Sequence, residues 1–254
     1  MRSRSNRFGV YLGAFFLVMC LCARSAVCQT PPTWPGGNWR ALQRGNNAFL
    51  GDTSADQTNW HDIVGNQQYP AAFWQHSQSF VYFRMRVDRS GQGKNNASWQ
   101  WPLYVDETDQ PGPQDVDWVV EVREKAGIVE LAPVAPGDTW GDVQIGNEQG
   151  WYTDDIEDYR RWVGPTGDGS SFDQDADVFL DAAVPWSEFT TLTGVEDGEP
   201  FRINFSTSKS DNAIDRDSPE QGFSEPVATP EPGLGVLLII LSAVLVCRRP
   251  EKRG

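Results

Sequence analysis

Between positions 79 and 88 apolar and polar side chains alternate. Val81, Phe83, Met85 and Val87 fall on one face of an extended segment, and Tyr82, Arg84 and Arg86 on the other. The same logic predicts strands over 99–106, 116–124, 127–133, 177–186 and 201–208, each rich in β-branched or aromatic residues and bounded by turn residues. The 127–133 segment reads as the hairpin partner of 116–124 across Lys125, Ala126 and Gly127. Pro185 marks a strand end or an edge position. One helical turn is expected over 186–194, with Ser187 as its candidate cap. At least six strands at short intervals, without a long amphipathic helix or a repeat period, predict an all-β fold.

The chain ends read differently. Arg2, Arg4 and Arg7 precede an apolar run over 8–22, and small residues follow, which describes a secretory signal peptide over 1–28. Cleavage after Ser25 and after Cys28 both fit, and an uncleaved anchor stays open. At the other end, residues 234–247 are uncharged and lie between Pro232 and the basic residues Arg248, Arg249, Lys252 and Arg253. As a helix they reach about 21 Å against a hydrocarbon core of ~30 Å. Snorkelling arginines stretch such a short span, and the basic cluster marks its cytoplasmic side. A buried helix ending a soluble domain is the alternative.

Charge separates the middle from the ends. Residues 29–229 hold thirteen basic against thirty-three acidic residues, a formal charge of about −20. That balance excludes nucleic acid as a partner and suits solvent or divalent cations. The four cysteines, Cys20, Cys22, Cys28 and Cys247, all lie in or beside the terminal segments, so the cargo has no disulfide.

Pro230-Glu231-Pro232, the short apolar run and Arg248-Arg249 together resemble the PEP-CTERM sorting signal of Gram-negative bacteria, over about 25 of the 254 residues. Pro250 and Glu251 interrupt the basic cluster. The resemblance implies an exosortase-type sorting protease as partner and a transient inner-membrane anchor through the C-terminal helix. The destination it implies is the cell surface or extracellular matrix. The strands "FVYFRMRVD", "DVDWVVEVR", "DVFLDAAVPWSEF" and "FRINFSTS", with the opening "GDTSADQTNWHDIVG", resemble a family 9-type carbohydrate-binding, DOMON-like domain. That implies an antiparallel, jelly-roll-like β-sandwich ectodomain over 29–215, followed by a linker at 216–229 and the sorting signal at 230–254.

Candidate chemistry follows the aromatics and acids. All eleven tryptophans lie between positions 34 and 186, and flat indoles stack on the apolar faces of sugar rings. Trp99 and Trp101 share one face of a strand, and Trp140, Trp151 and Trp162 sit between strands, so these five are the carbohydrate-binding candidates; a place in the core is the competing reading for each. Asp168, Asp173, Asp175 and Asp177 form an acidic loop with the oxygen donors that Ca²⁺ takes. The loop is no EF-hand, because Val178 stands where glycine is needed, and a solvated acidic loop is its alternative. His61 and His76 read as structural, and no nucleophile elbow or zinc motif is present. The expectation is a non-catalytic, polysaccharide-binding surface or matrix protein. A glycoside hydrolase or lyase acting on exopolysaccharide and a purely structural matrix protein are the alternatives.

Overall fold

A computed structural model describes residues 30–52, 62–88, 98–105, 116–134, 150–172, 176–208 and 222–228. The chain divides into two compact units, Met1–Pro31 and Pro32–Gly254, and the elements below belong to the second. The N-terminal run, the tail with Pro230, Glu231, Pro232, Arg248 and Arg249, and Trp140, Asp173 and Asp175 lie outside the described residues. Among the described residues no helix is long and apolar enough to cross a membrane.

The fold is all-β, and the strand pairings are antiparallel. One sheet joins β1 (Arg40–Ala41), β4 (Ala72–His76), β5 (Phe80–Val87), β11 (Val178–Pro185) and β10 (Arg160–Val163), in that order, while β2 (Gln43–Arg44) and β3 (Ala48–Phe49) form a separate ribbon. The other sheet runs β14 (Val227–Ala228), β12 (Pro200–Ile203), β6 (Ser98–Tyr104), β7 (Trp118–Arg123), β8 (Ile128–Pro133) and β9 (Trp151–Thr153), with β13 (Ser206–Ser208) also on β6. Strands β7 and β8 are hairpin neighbours, as their spacing predicts. The 201–208 segment differs from expectation: it breaks at Asn204 and Phe205, so one predicted strand becomes β12 and β13, both paired with β6. Residues 222–228, within the stretch read as a linker, lie on this sheet through Ser224 N–H to Ile203 C=O at 2.9 Å and the β12–β14 pairing.

Alternation drives the packing. Phe83, Met85 and Leu180 from the first sheet and Trp101, Val120 and Leu131 from the second join one apolar cluster. Phe83 and Trp101 meet with ring centroids 6.0 Å apart. Each such side chain, fully buried, contributes about 1.5–3 kcal/mol. The helix Trp186–Thr193 follows β11 directly and inserts Phe189 against Phe201, 5.3 Å between centroids. Its N-cap is Pro185 and makes no side-chain bond; Ser187 instead accepts the Thr190 and Thr191 hydroxyls at its carbonyl. Gly194, at φ 77°, ends the helix in the left-handed conformation that glycine adopts without strain.

The polar face of the first sheet is covered too. Asp181 accepts both Arg84 Nε–H at 2.6 Å and Arg84 Nη2–H at 2.8 Å, and Arg161 Nε–H at 2.7 Å. Across the register Phe73, Arg84, Asp181 and Arg161 form one transverse row. The segment 33–39 lies over it. Thr33 C=O accepts the Tyr82 hydroxyl at 2.8 Å, Trp39 stacks 4.0 Å from the Arg84 guanidinium carbon, and Trp34 lies 4.8 Å from that of Arg161. The guanidinium charge meets the negative ring face, an attraction that grows as water is excluded.

Candidate functional site

The second sheet carries a polar row on the face turned away from the core. Trp99, Trp101, Val120, Val122, Val129 and Leu131 point inward, so their strand neighbours Gln100, Glu121 and Glu130 point outward. The register aligns Ser206, Gln100, Glu121, Glu130 and Tyr152 across β13, β6, β7, β8 and β9. Ser206 Oγ–H donates to Gln100 Oε1 at 3.2 Å, and Gln100 Nε2–H donates to Glu121 Oε1 at 3.0 Å. Arg123 Nη1–H donates to Glu130 Oε1 at 3.1 Å. The row is graded: Ser206, Gln100 and Glu121 are buried, the Glu130 and Arg123 side chains are 13% and 17% exposed, and Tyr152 is 69% exposed. Burial pushes the Glu121 carboxyl well above its usual range, and the neighbouring acid Glu130 pushes it further. Gln100 and Arg123 oppose that rise and are outweighed.

Chemically, the outer end of the row offers a carboxylate, a guanidinium and a phenol ring within one face. Such a mix both donates to and accepts from hydroxyl groups, with a flat aromatic beside them. Neither Glu121 nor Glu130 stood out in the sequence. Each is a lone acid between β-branched residues, and only the hairpin register makes them neighbours.

The tryptophan candidates take other places. Trp99 and Trp101 do share a face, but it is the inner one; both are buried, and among the described residues the Trp101 indole N–H meets no acceptor. Trp151 is buried against Tyr159, 5.5 Å between centroids. Trp162 is half-buried, stands edge-on to Trp99 at 5.5 Å, and donates Nε1–H to Glu124 Oε1 at 3.3 Å. Burial raises the Glu124 carboxyl; Arg160, 3.2 Å away, and the Trp162 bond offset part of that rise.

Two of the four acidic-loop residues are described, and both meet an arginine. Arg86 Nη2–H donates to Asp168 Oδ2 at 2.7 Å, while Arg86 Nη1 lies 3.8 Å from Asp177 Oδ2 and also bonds the Ser170 hydroxyl. Burial raises Asp168, but the Arg86 bonds, the Ser170 N–H and the Thr166 and Ser170 hydroxyls outweigh it and hold the carboxyl far below its usual range. Asp177 is fully buried and also accepts Phe172 N–H at 3.1 Å. The positive charge beside these two carboxylates is therefore a side chain of the protein. Among the described residues no group of three or more His, Cys, Asp or Glu is placed to hold a metal. His76 is half-buried against the Trp186 ring at 4.3 Å, and His61 lies outside the described residues.

Comparison of the chain with family models, with curated proteins and with solved structures found no match.

Proposed function

We propose that the chain is an exported surface or extracellular-matrix protein, sorted through its C-terminal signal, whose β-sandwich binds polysaccharide without turning it over. The jelly-roll-like plan, the signal helix and the membrane-spanning tail belong to the same proposal. The observation that carries the binding reading is the graded row ending in Glu130, Arg123 and the exposed ring of Tyr152. The negative charge of the cargo favours neutral over uronate-rich glycans, since like charges repel across the encounter. Calcium enters only as a structural ion on the acidic loop of Asp168, Asp173, Asp175 and Asp177, where the single charge of Arg86 already offsets part of the negative charge of Asp168 and Asp177.

A glycoside hydrolase is the second reading, favoured by the paired Glu121 and Glu130 and the raised carboxyl of Glu121. Spacing speaks against it. Retaining enzymes hold their two carboxyls about 5–5.5 Å apart and inverting ones about 6.5–9.5 Å, with the sugar between them. Glu121 and Glu130 are directly opposed on neighbouring strands and Glu121 is fully buried, which leaves no room for a sugar between them.

Affinity electrophoresis of the full chain through gels holding neutral or acidic polysaccharides, with Ca²⁺ and then with chelator, tests this. Retardation by a neutral polysaccharide, without release of reducing ends, is expected. Passage through every gel at the speed of the empty gel points instead to a structural matrix protein, and release of reducing ends to the hydrolase.

A further inference from the structure

We propose that Glu121 and Glu130 share one proton, with Glu121 Oε2–H donating to the Glu130 carboxylate, so that β7 and β8 are joined by a proton-linked latch. This goes beyond the polysaccharide reading and does not depend on it. The two residues are directly opposed in the antiparallel register. Glu121 is fully buried; its Oε1 is taken by Gln100, while Oε2 is buried and meets no donor among the described residues. Glu130 stands directly opposite it on β8, on the same face. Two ionised carboxylates so placed repel each other, and one of them is buried with an oxygen that lacks a donor among the described residues. A single proton on Glu121 removes the repulsion, removes the buried charge and gives Oε2 a hydrogen bond to make.

The geometry also decides which residue carries the proton. Arg123 donates to Glu130, while Glu121 is the more deeply buried of the two. Among the described residues the groups facing Glu121 are Gln100 from β6, Glu130 from β8 and Arg123 on its own strand. Ser206 of β13 stands behind Gln100, and Tyr152 of β9 beyond Glu130. Because the carboxyl is raised on folding, the folded chain holds this proton more tightly than the unfolded one. The latch therefore stabilises fully below the ordinary value of 4.5, and its contribution is lost as pH rises towards the value in the folded chain. Acid tightens the hairpin and alkali loosens it.

The test uses the full-length chain. Infrared difference spectroscopy at neutral pH reads the carbonyl stretch of a protonated carboxylic acid. The band is expected in the native protein, weakened in Glu121→Gln, and titrating at lower pH in Glu130→Gln. Chemical denaturation across about pH 5–8 then compares the native chain with Glu121→Gln. Glu124, raised by burial, and His76, lowered by burial, titrate in both proteins, so the difference isolates Glu121. The native chain is expected to lose stability with rising pH relative to the variant. An acid band absent from the native protein at neutral pH, or unchanged in Glu121→Gln, overturns the proposal, as do parallel stability curves.

Discussion

Phe73, Arg84, Asp181 and Arg161 cross the first sheet much as Ser206, Gln100, Glu121, Glu130 and Tyr152 cross the second. Both rows bury a carboxyl group completely. In the first row Asp181 sits between two guanidinium groups, and rings from Trp39 and Phe179 flank Arg84. In the second row the strand opposite Glu121 supplies another acid. Opposite charges placed together make ionisation stable, whereas like charges placed together make it costly. For Glu121 burial is the first cause of the raised carboxyl, and the acid across the ladder adds to it.

Removing Asp181 should have the largest effect. Asp181→Ala leaves Arg84 buried with its charge unpaired, which costs about 3–5 kcal/mol, read as a lower midpoint in urea. A loss below about 1 kcal/mol would mean that the Trp39 and Phe179 rings hold Arg84 without its partner. The counterpart, Glu121→Gln, should have the opposite sign above neutral pH. There the variant should be the more stable protein, and the native curve should fall relative to it with a limiting slope of about 1.4 kcal/mol per pH unit. Asp168 acts in a different window: its carboxyl is lowered on folding, so its contribution is lost as pH falls below the ordinary value of 3.8.

Smaller effects test the seam between the two rows. Trp162→Phe keeps the ring on Trp99 but removes the bond to Glu124, at a cost of about 0.5–1.5 kcal/mol in thermal or urea denaturation. Tyr152→Ala should change stability by less than about 0.5 kcal/mol, since the ring is exposed. It should nevertheless weaken retardation in polysaccharide gels. Unchanged retardation would remove Tyr152 from the site.

The long strands were legible because alternation over six to eight residues is a strong signal, as in β5 and β11. Strands of two or three residues, such as β1, β9 and β14, are too short to show a period, and they take their form from the neighbour that they pair with. Alternation showed that Trp99 and Trp101 share a face, but it could not say that the face is the inner one. That follows from Phe83 and Trp162, which lie in other strands. Asp168 and Asp177 read as a loop's own cation ligands because Arg86 stands far away in sequence. The β5–β11 register brings it beside them, as it brings Arg84 to Asp181.

That register also sets an order of events. The meander of β6, β7 and β8 joins near neighbours in sequence, so its loops close at small entropic cost. The ladder between β5 and β11 must wait until Pro185 has been made, because it pairs with Phe80 from early in the chain. High contact order of this kind slows folding. Pulse-labelling by hydrogen exchange should find amides of β7 and β8 protected before those of β5 and β11. The second sheet, which carries the acid pair, would then be the template on which the arginine-rich sheet is laid.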